Sequence, residues 1–182
     1  MQNTDANATL RAQLQHAEDK LSVSYQFSNY CNSDIFLFNK MYDDVDDEGR
    51  YKVDQNLCII EIQNGNTVIS KKIATLPETL LVEALNIPCI TVVGPGNSFH
   101  ETLVLNLPLQ AWSPYESASA SNRLDLPVLF QLGYVVGQAS SKSVARTVST
   151  TNGKALRFAA VTIASQNLLT AGPFQTVSIG SP

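Results

Sequence analysis

Hydrophobic and polar residues alternate most regularly along residues 99–112, directly after the glycine-rich turn 94–97. The odd-numbered positions of this segment are mostly apolar and the even-numbered positions are mostly polar. Because side chains alternate between the two faces of a strand, the pattern predicts an antiparallel strand with one buried and one wet face. Pro108 cannot donate a backbone hydrogen bond, so the strand is expected to lie at a sheet edge or to end near this residue.

Segments typical of short strands recur along most of the chain. A two-residue period runs through residues 21–28 and again through 128–136, while residues 35–41 begin with apolar side chains on both faces, as is typical of a central strand. Two further apolar segments flank Asn64 and Gly65, a dipeptide that strongly favours a tight hairpin turn. The strands on either side of this turn are predicted at 57–63 and 67–74. Three more are predicted at 87–93, 156–165 and 174–179.

Two segments have the spacing of helices instead. Within residues 1–20, Leu10 and Leu14 are four residues apart and Asp5 precedes them as a capping residue, which predicts a polar helical arm. The apolar stripe is too thin for the arm to be stable alone, so the arm is expected to dock on the body or on a second subunit. Residues 77–85 also repeat apolar side chains at helical spacing after a proline, and they predict one short internal helix.

Together these elements predict a mainly β protein, built as a two-sheet antiparallel β-sandwich, because each sheet must cover its apolar face. Residues 21–182 are expected to form this single sandwich domain, and residues 1–20 the arm that precedes it. The general look resembles immunoglobulin-like sandwiches. Trp112 follows all three cysteines, however, so the Cys–Trp–Cys order of true immunoglobulin domains is absent.

Composition and charge narrow the classes of function. The 182 residues are 44% hydrophobic, which is enough for one full core, and no apolar run has the length needed to span a bilayer. With only 12 lysines and arginines and a net charge of −4, the chain offers no basic stripe for nucleic acid. No leader is visible after Met1, which slightly favours the cytoplasm, although an exported protein whose leader had been removed would look the same.

Acidic residues cluster in one place, between positions 43 and 48. Asp44, Asp46 and Glu48 resemble the first half of a calcium loop, which carries oxygen ligands at alternate positions. The second half is missing, because Gln55 stands where such a loop has its bidentate glutamate. We therefore expect a solvated loop without a metal, and a melting temperature that millimolar calcium leaves unchanged.

The three cysteines, Cys31, Cys58 and Cys89, are widely spaced. No Cys-x-x-Cys pair or histidine cluster accompanies them, which argues against a zinc site. Cys58 lies in an apolar run and is expected to pack as a small hydrophobic residue. A disulfide from Cys58 to Cys31 or to Cys89 stays open, because it depends on whether the protein is exported.

Few side chains are candidates for catalysis. His16 is expected on the polar side of the arm, and His100 lies beside Glu101, but neighbours along a strand point to opposite faces. A pair of His100 with Cys31 or Cys89 is conceivable, yet nothing in the spacing specifies it. Glu101 is the exception on the apolar face of its strand, so it either lies at the rim of the core or pairs with a lysine or arginine.

Two functional hypotheses follow from these observations. In the first, the protein is a non-catalytic interaction module, without a cofactor or metal, that binds a protein partner or its own copies through loops or an edge strand. In the second, it is a carbohydrate-binding module or a hydrolase whose site uses the segment from Trp112 to Asn122, where Trp112 and Tyr115 stand beside a loop of small residues. The scarcity of histidine and the lack of a nucleophile motif favour the first hypothesis.

Overall fold

The computed structural model describes residues 2–5, 7–77, 81–82, 85–117, 122–137, 145–159 and 165–181. Within these residues the protein is mainly β and has no α-helix. No helix in this part of the chain could therefore cross a membrane. The strands are β1 (Gln2–Thr4), β2 (Ala8–Ala17), β3 (Lys20–Asn29), β4 (Ile35–Lys40), β5 (Tyr42–Val45), β6 (Tyr51–Val53), β7 (Ile59–Gln63), β8 (Asn66–Lys71), β9 (Cys89–Val93), β10 (Ser98–Asn106), β11 (Leu109–Gln110), β12 (Trp112–Ser113), β13 (Glu116–Ser117), β14 (Asn122–Val136), β15 (Ala145–Thr150), β16 (Gly153–Phe158), β17 (Asn167–Ala171) and β18 (Thr176–Ser181).

A four-stranded antiparallel sheet has the order β1–β2–β3–β10. The alternation predicted for residues 99–112 is confirmed in β10, where Leu103 and Leu105 are buried and the even-numbered residues are exposed. This strand lies at the edge of the sheet and ends at Asn106, two residues before Pro108. The proline therefore stands where the ladder stops, as its missing N–H group requires.

The remaining strands form a larger, curled sheet with the order β13–β12–β7–β8–β14–β4–β9–β16–β15–β6–β5, to which β11, β17 and β18 are attached. Three of its strand pairs are parallel: β8 with β14, β11 with β18, and β6 with β15. The prediction of purely antiparallel sheets is therefore wrong. A parallel pair needs a long crossover connection, and residues 72–121 supply one between β8 and β14.

The main hydrophobic core is shared by the two sheets. It is built from the apolar sides of β2, β3 and β10 together with those of β4, β14, β17 and β18. Strand β4 is apolar on both faces, as predicted for a central strand, because Leu37 joins the main core while Phe36 and Phe38 join a second cluster with Ile73 and Phe158. A third, small cluster contains Met41, Ile59 and Ala74.

Strand β14 is the longest in the protein, and its two halves have different partners. Its second half follows the predicted alternation, with Phe130, Leu132 and Tyr134 fully buried. Its first half begins at Asn122 and pairs with β18, so the strand extends further back than the pattern indicated. Gly133 marks a close approach, as the sequence suggested, because a Cβ atom there would lie 2.9 Å from Cβ of Lys72.

The predicted helical arm is wrong, because residues 2–4 and 8–17 form β1 and β2. Leu10 and Leu14 have helical spacing, but the even-numbered residues of β2 also alternate with polar ones, and Ala12 between the two leucines is buried. The turn that returns the chain into β3 contains Glu18 with φ 51° and no glycine or asparagine. The sequence therefore lacks the usual signal of a hairpin at this point.

The short helix predicted for residues 77–85 is not found either. Residues 77, 81–82 and 85 have no helical structure, and residues 78–80 and 83–84 lie outside the described part of the chain. Leu81 is almost completely exposed, so it does not supply the buried face that the spacing predicted.

Candidate functional site

His100 and Glu101 lie on opposite faces of β10, as expected for neighbours along a strand. Glu101 turns toward the core, where its Oε2 atom accepts hydrogen bonds from Lys71 Nζ at 2.7 Å and from the Tyr25 hydroxyl at 2.6 Å. The Lys71 side chain is 0% exposed and that of Glu101 is 11% exposed. Of the two alternatives for Glu101, the structure shows the ion pair.

The cluster around Glu101 is largely buried. Burial raises the pKa of the Tyr25 hydroxyl well above its usual value, and the neighbouring Glu101 charge raises it further. The Lys71 amine also donates to the carbonyl of Gln55 at 2.7 Å. Removing either charge would leave the other buried and unpaired, which costs about 3–5 kcal/mol in proteins.

Lys71 was not among the residues selected from the sequence. The alternation along β8 could have identified it, because Lys71 lies on the same face of the strand as Thr67 and Ile69. Both of those side chains are buried. A lysine on the core side of a predicted strand needs a buried acidic partner. Glu101 was the corresponding acidic residue, because it lies on the apolar face of another strand.

The outer face of the four-stranded sheet is polar. Hydroxyl groups pair across its strands, with Ser24 2.8 Å from Thr102 and Ser28 2.7 Å from Ser98. A depression of about 340 Å³ lies on this face, and its lining includes Arg11, Gln13, Ser24, Gln26, His100 and Thr102. The lining has no exposed aromatic ring, since Tyr25 is only 3% exposed. His16, the other histidine, is exposed and contacts the carbonyl of Glu18.

A groove lies between β9 and the β15–β16 hairpin, and we name it the β9 groove. Its volume is about 360 Å³, and it is lined by Lys40, Ile90, Thr91, Val92, Thr147, Lys154, Ala155 and Leu156. Strand β9 pairs with β4 along its length, but on its other side only Ile90 has a partner in the described chain, namely Leu156. Beyond this point Thr91 and Val92 line the groove, while the carbonyl of Val93 accepts a hydrogen bond from the Asn29 side chain at 2.8 Å.

The side chains of the β9 groove combine apolar and cationic character. Val92 is 39% exposed, and the buried hydroxyl of Thr91 makes no hydrogen bond within the described residues. Neither Lys40 nor Lys154 forms an ion pair in that part of the chain. The groove therefore offers a short open strand edge beside two cations.

The acidic cluster forms the tip of the β5–β6 hairpin. Asp44 pairs with Lys52 at 2.6 Å, while Asp46 and Glu48 both pair with Arg50. Hydrogen bonds from the Lys52 side chain lower the pKa of Asp44, and those from the Arg50 backbone and side chain lower the pKa of Asp46. Within the described residues, no group of three or more acidic, histidine or cysteine side chains could hold a metal. The absence of a calcium effect stays a prediction.

All three cysteines are free thiols. Cys58 packs in the main core, and burial raises the pKa of its thiol to about 12. Cys89 is also buried, and its burial raises the pKa of its thiol. The nearby positive charge of Arg157 opposes this rise. Cys31 is half-buried and donates to the Asn29 side chain at 3.0 Å. The structure gives none of them a histidine partner among its described contacts.

The segment from Trp112 to Asn122 is described only in part, because residues 118–121 lie outside the described chain. Trp112 is half-buried and packs against the cluster of Met41, Ile59 and Ala74. The Tyr115 hydroxyl accepts a hydrogen bond from the backbone of Asn86 at 2.8 Å. Both aromatic residues therefore have internal roles.

Comparisons with family models, with curated proteins and with solved structures find no match to this chain. The function therefore has to be argued from the residues themselves.

Proposed function

We propose that the protein is a non-catalytic interaction module that binds an extended segment of a partner protein, or of a second copy of itself, in the β9 groove. The observation that carries this proposal is the outer edge of Thr91 and Val92, which has no strand partner within the described residues. An extended segment could add to this edge by main-chain hydrogen bonds, which is a common mode of peptide recognition. The exposed Val92 side chain would supply an apolar contact.

The charge of the β9 groove favours an acidic partner. Lys40 and Lys154 line it, and none of the described residues that line it is acidic. Complementary charge at the rim of an interface mainly accelerates association and selects among partners. Two other edges are less suitable, because β10 is covered by residues of the loop before β7 and β5 carries the acidic hairpin tip.

For the architecture, we propose that the two sheets form a sandwich, and that its body includes β2 as well as the predicted domain of residues 21–182. The shared core supports this arrangement, since inner-face residues of both sheets contact one another there. An experimental structure in which the four-stranded sheet does not lie over β14 would contradict it.

The alternative function, a carbohydrate-binding module or a hydrolase at the segment Trp112–Asn122, has less support. Sugar-binding proteins stack their ligands on exposed aromatic rings, whereas Trp112 packs on an internal cluster and Tyr115 is bonded to the backbone. Binding to a glycan array that is lost in Trp112→Ala would favour this alternative over the β9 groove.

The proposal can be tested by selecting peptides from a random display library on the whole protein. We expect enriched peptides to contain β-branched and acidic residues, and their binding to weaken at least tenfold in the double variant Lys40→Glu/Lys154→Glu. A matched control, Lys20→Glu/Arg123→Glu, changes the net charge equally at exposed positions outside the groove and is expected to keep binding.

Light scattering at increasing protein concentration tests whether a second copy of the chain binds in the β9 groove. Self-association that is lost in Lys40→Glu/Lys154→Glu but retained in Lys20→Glu/Arg123→Glu would show that it does. If no peptide is enriched and the protein stays monomeric, the proposal is wrong.

A further inference from the structure

One buried amide near the Lys71–Glu101 ion pair makes no hydrogen bond with the described residues. Asn39 is 1% exposed, and neither its Nδ2 nor its Oδ1 atom has a hydrogen-bond partner within the described residues. Leaving such a group unsatisfied costs about 1–3 kcal/mol. By contrast, the buried Asn29 side chain donates to two backbone carbonyls at 2.8 Å each. The state of Asn39 therefore calls for an explanation.

The strand order brings the ends of β4 and β8 together on one side of β14. Leu37 of β4 is opposite Tyr134, and Lys71 of β8 is opposite Leu132. Strand β17 pairs with β14 at both of these positions, so it occupies the other side of β14. Strands β4 and β8 contact each other directly, and Asn39 lies near the end of β4, as Lys71 lies at the end of β8.

The groups on the facing sheet complete the cluster. The Asn39 amide lies beside the Tyr25 hydroxyl, where it partly opposes the rise in the pKa of that group. The Tyr25 hydroxyl and the Lys71 amine both bond the same oxygen, Oε2 of Glu101. The contacts therefore run from the Asn39 amide to the Tyr25 hydroxyl, and from there through Oε2 of Glu101 to the Lys71 amine.

We propose that Lys71 and Asn39 form an intramolecular amide bond, in which Glu101 carries the protons and Tyr25 holds the carboxylate in position. The bond would join the end of β4 to the end of β8, beside β14.

The reaction is a condensation that needs no oxidant and no cofactor. Glu101 Oε2 takes a proton from the Lys71 ammonium, to which it is already hydrogen-bonded, and the neutral amine attacks Cγ of Asn39. The Nζ–Cγ bond forms and the Cγ–Nδ2 bond breaks, while Glu101 returns the proton to the departing nitrogen. Ammonia leaves, and Glu101 takes up the second proton of the lysine nitrogen, so that it ends as a neutral acid beside the new amide.

Burial favours this reaction in two ways. The site excludes water, so the new amide is protected from hydrolysis, and proton transfer between fixed groups needs little reorganisation. The product also replaces a buried lysine charge and an unsatisfied amide with one neutral group.

Intact-mass spectrometry of the purified full chain tests the proposal. We expect a mass about 17 Da below that calculated from the sequence, the mass of one ammonia. The loss is expected to disappear in Asn39→Ala, Lys71→Arg and Glu101→Gln. It is expected to persist in Lys72→Ala, a matched control, because Lys72 is equally buried next in sequence but lies near Glu61 and Gln131 instead.

A tryptic digest locates the loss, because cyclisation of an N-terminal glutamine or of an asparagine would change the mass equally. The proposed bond joins the peptide 21–40 to the peptide 53–72, since trypsin cannot cut after an acylated Lys71. A wild-type chain at its calculated mass, or a 17 Da loss in any other peptide, would overturn the proposal. The peptide map of the wild-type chain therefore tests the Lys71–Asn39 bond even if the variants fail to fold.

Discussion

At the scale of single residues, burial decides the chemistry of the thiols. Cys58 is 3% exposed and Cys89 is 0% exposed, whereas Cys31 is half-buried at the start of a turn. The thiolate is the reactive form, so a thiol that is both buried and raised in pKa is inert. The three cysteines are therefore expected to react very unequally.

We predict that a thiol reagent at about pH 8 labels Cys31 alone in the folded protein. Labelling in denaturant is expected to reach all three cysteines, and Cys31→Ser is expected to abolish the native reaction. Mass spectrometry of the labelled chain measures the stoichiometry. Rapid native labelling of Cys58 would contradict its placement in the core.

The same burial predicts a loss of stability at alkaline pH. The pKa of Cys58 is about 12 in the folded protein, whereas an unfolded thiol titrates near 8.5. The contribution of Cys58 is therefore complete below pH 8.5 and declines as the pH rises from there, because only the unfolded chain ionises. Between pH 7.5 and about 9.5 this amounts to about 1.4 kcal/mol of the free energy of unfolding. Urea titrations should show a smaller decline for Cys58→Ala than for the wild type.

At the scale of the elements, the free side of β10 is covered by side chains instead of a strand. Asn56 Oδ1 accepts from the Val104 N–H at 2.8 Å, and the Gln55 side chain donates to the Thr102 carbonyl. An open strand edge is a template for pairing with another chain. Gln55 and Asn56 therefore cover a strand edge that would otherwise compete with the β9 groove for an extended partner segment.

Removing this cover is expected to expose the edge. In Asn56→Ala the amide of Val104 should exchange with solvent about fivefold faster, which corresponds to a lost hydrogen bond of about 1 kcal/mol. Asn56→Asp keeps the acceptor oxygen and serves as the control. Hydrogen exchange measured by NMR also has an internal reference, because the amides of Leu103 and Leu105 point toward β3 and are expected to stay protected.

The elements also show what the sequence can and cannot predict. The Asn64–Gly65 turn was correctly predicted because both residues adopt positive φ, which these two residue types tolerate. The β2–β3 hairpin was missed because Glu18 adopts a positive φ without such a signal. The parallel pairing of β8 with β14 leaves no mark in either strand, since it depends on a crossover connection. In the candidate site, Glu101 stood out as an acid on an apolar face, but its partner depends on how distant strands meet.

At the scale of the whole molecule, the core links β2 to the opposite sheet. Leu10 is fully buried in the main core, while Trp112, the single tryptophan, packs in a separate cluster of the larger sheet. A protein that unfolds in one cooperative step reports the same transition at both places.

We predict that Leu10→Ala lowers the free energy of unfolding by about 2–5 kcal/mol. Far-UV circular dichroism and Trp112 fluorescence should shift together in urea. Gln13→Ala is the control, because Gln13 is exposed on the opposite face of β2 and is expected to have little effect. In a helix, positions 10 and 13 would share a face, so equal effects of the two substitutions would contradict the strand.

The pairing of β3 with β10 also affects how the chain can fold during its synthesis. The β2–β3 hairpin leaves the ribosome early, but its lateral partner Ser98–Asn106 emerges only after β4 to β9, and the strand β14 that its apolar face packs against emerges later still. Until β10 and β14 have been synthesised, the apolar side chains of the hairpin, such as Leu21, Val23 and Phe27, stay uncovered. Because an apolar strand surface left open on a nascent chain promotes aggregation, chaperone binding is expected to be strongest in this interval and to end once residue 136 is outside the ribosomal tunnel.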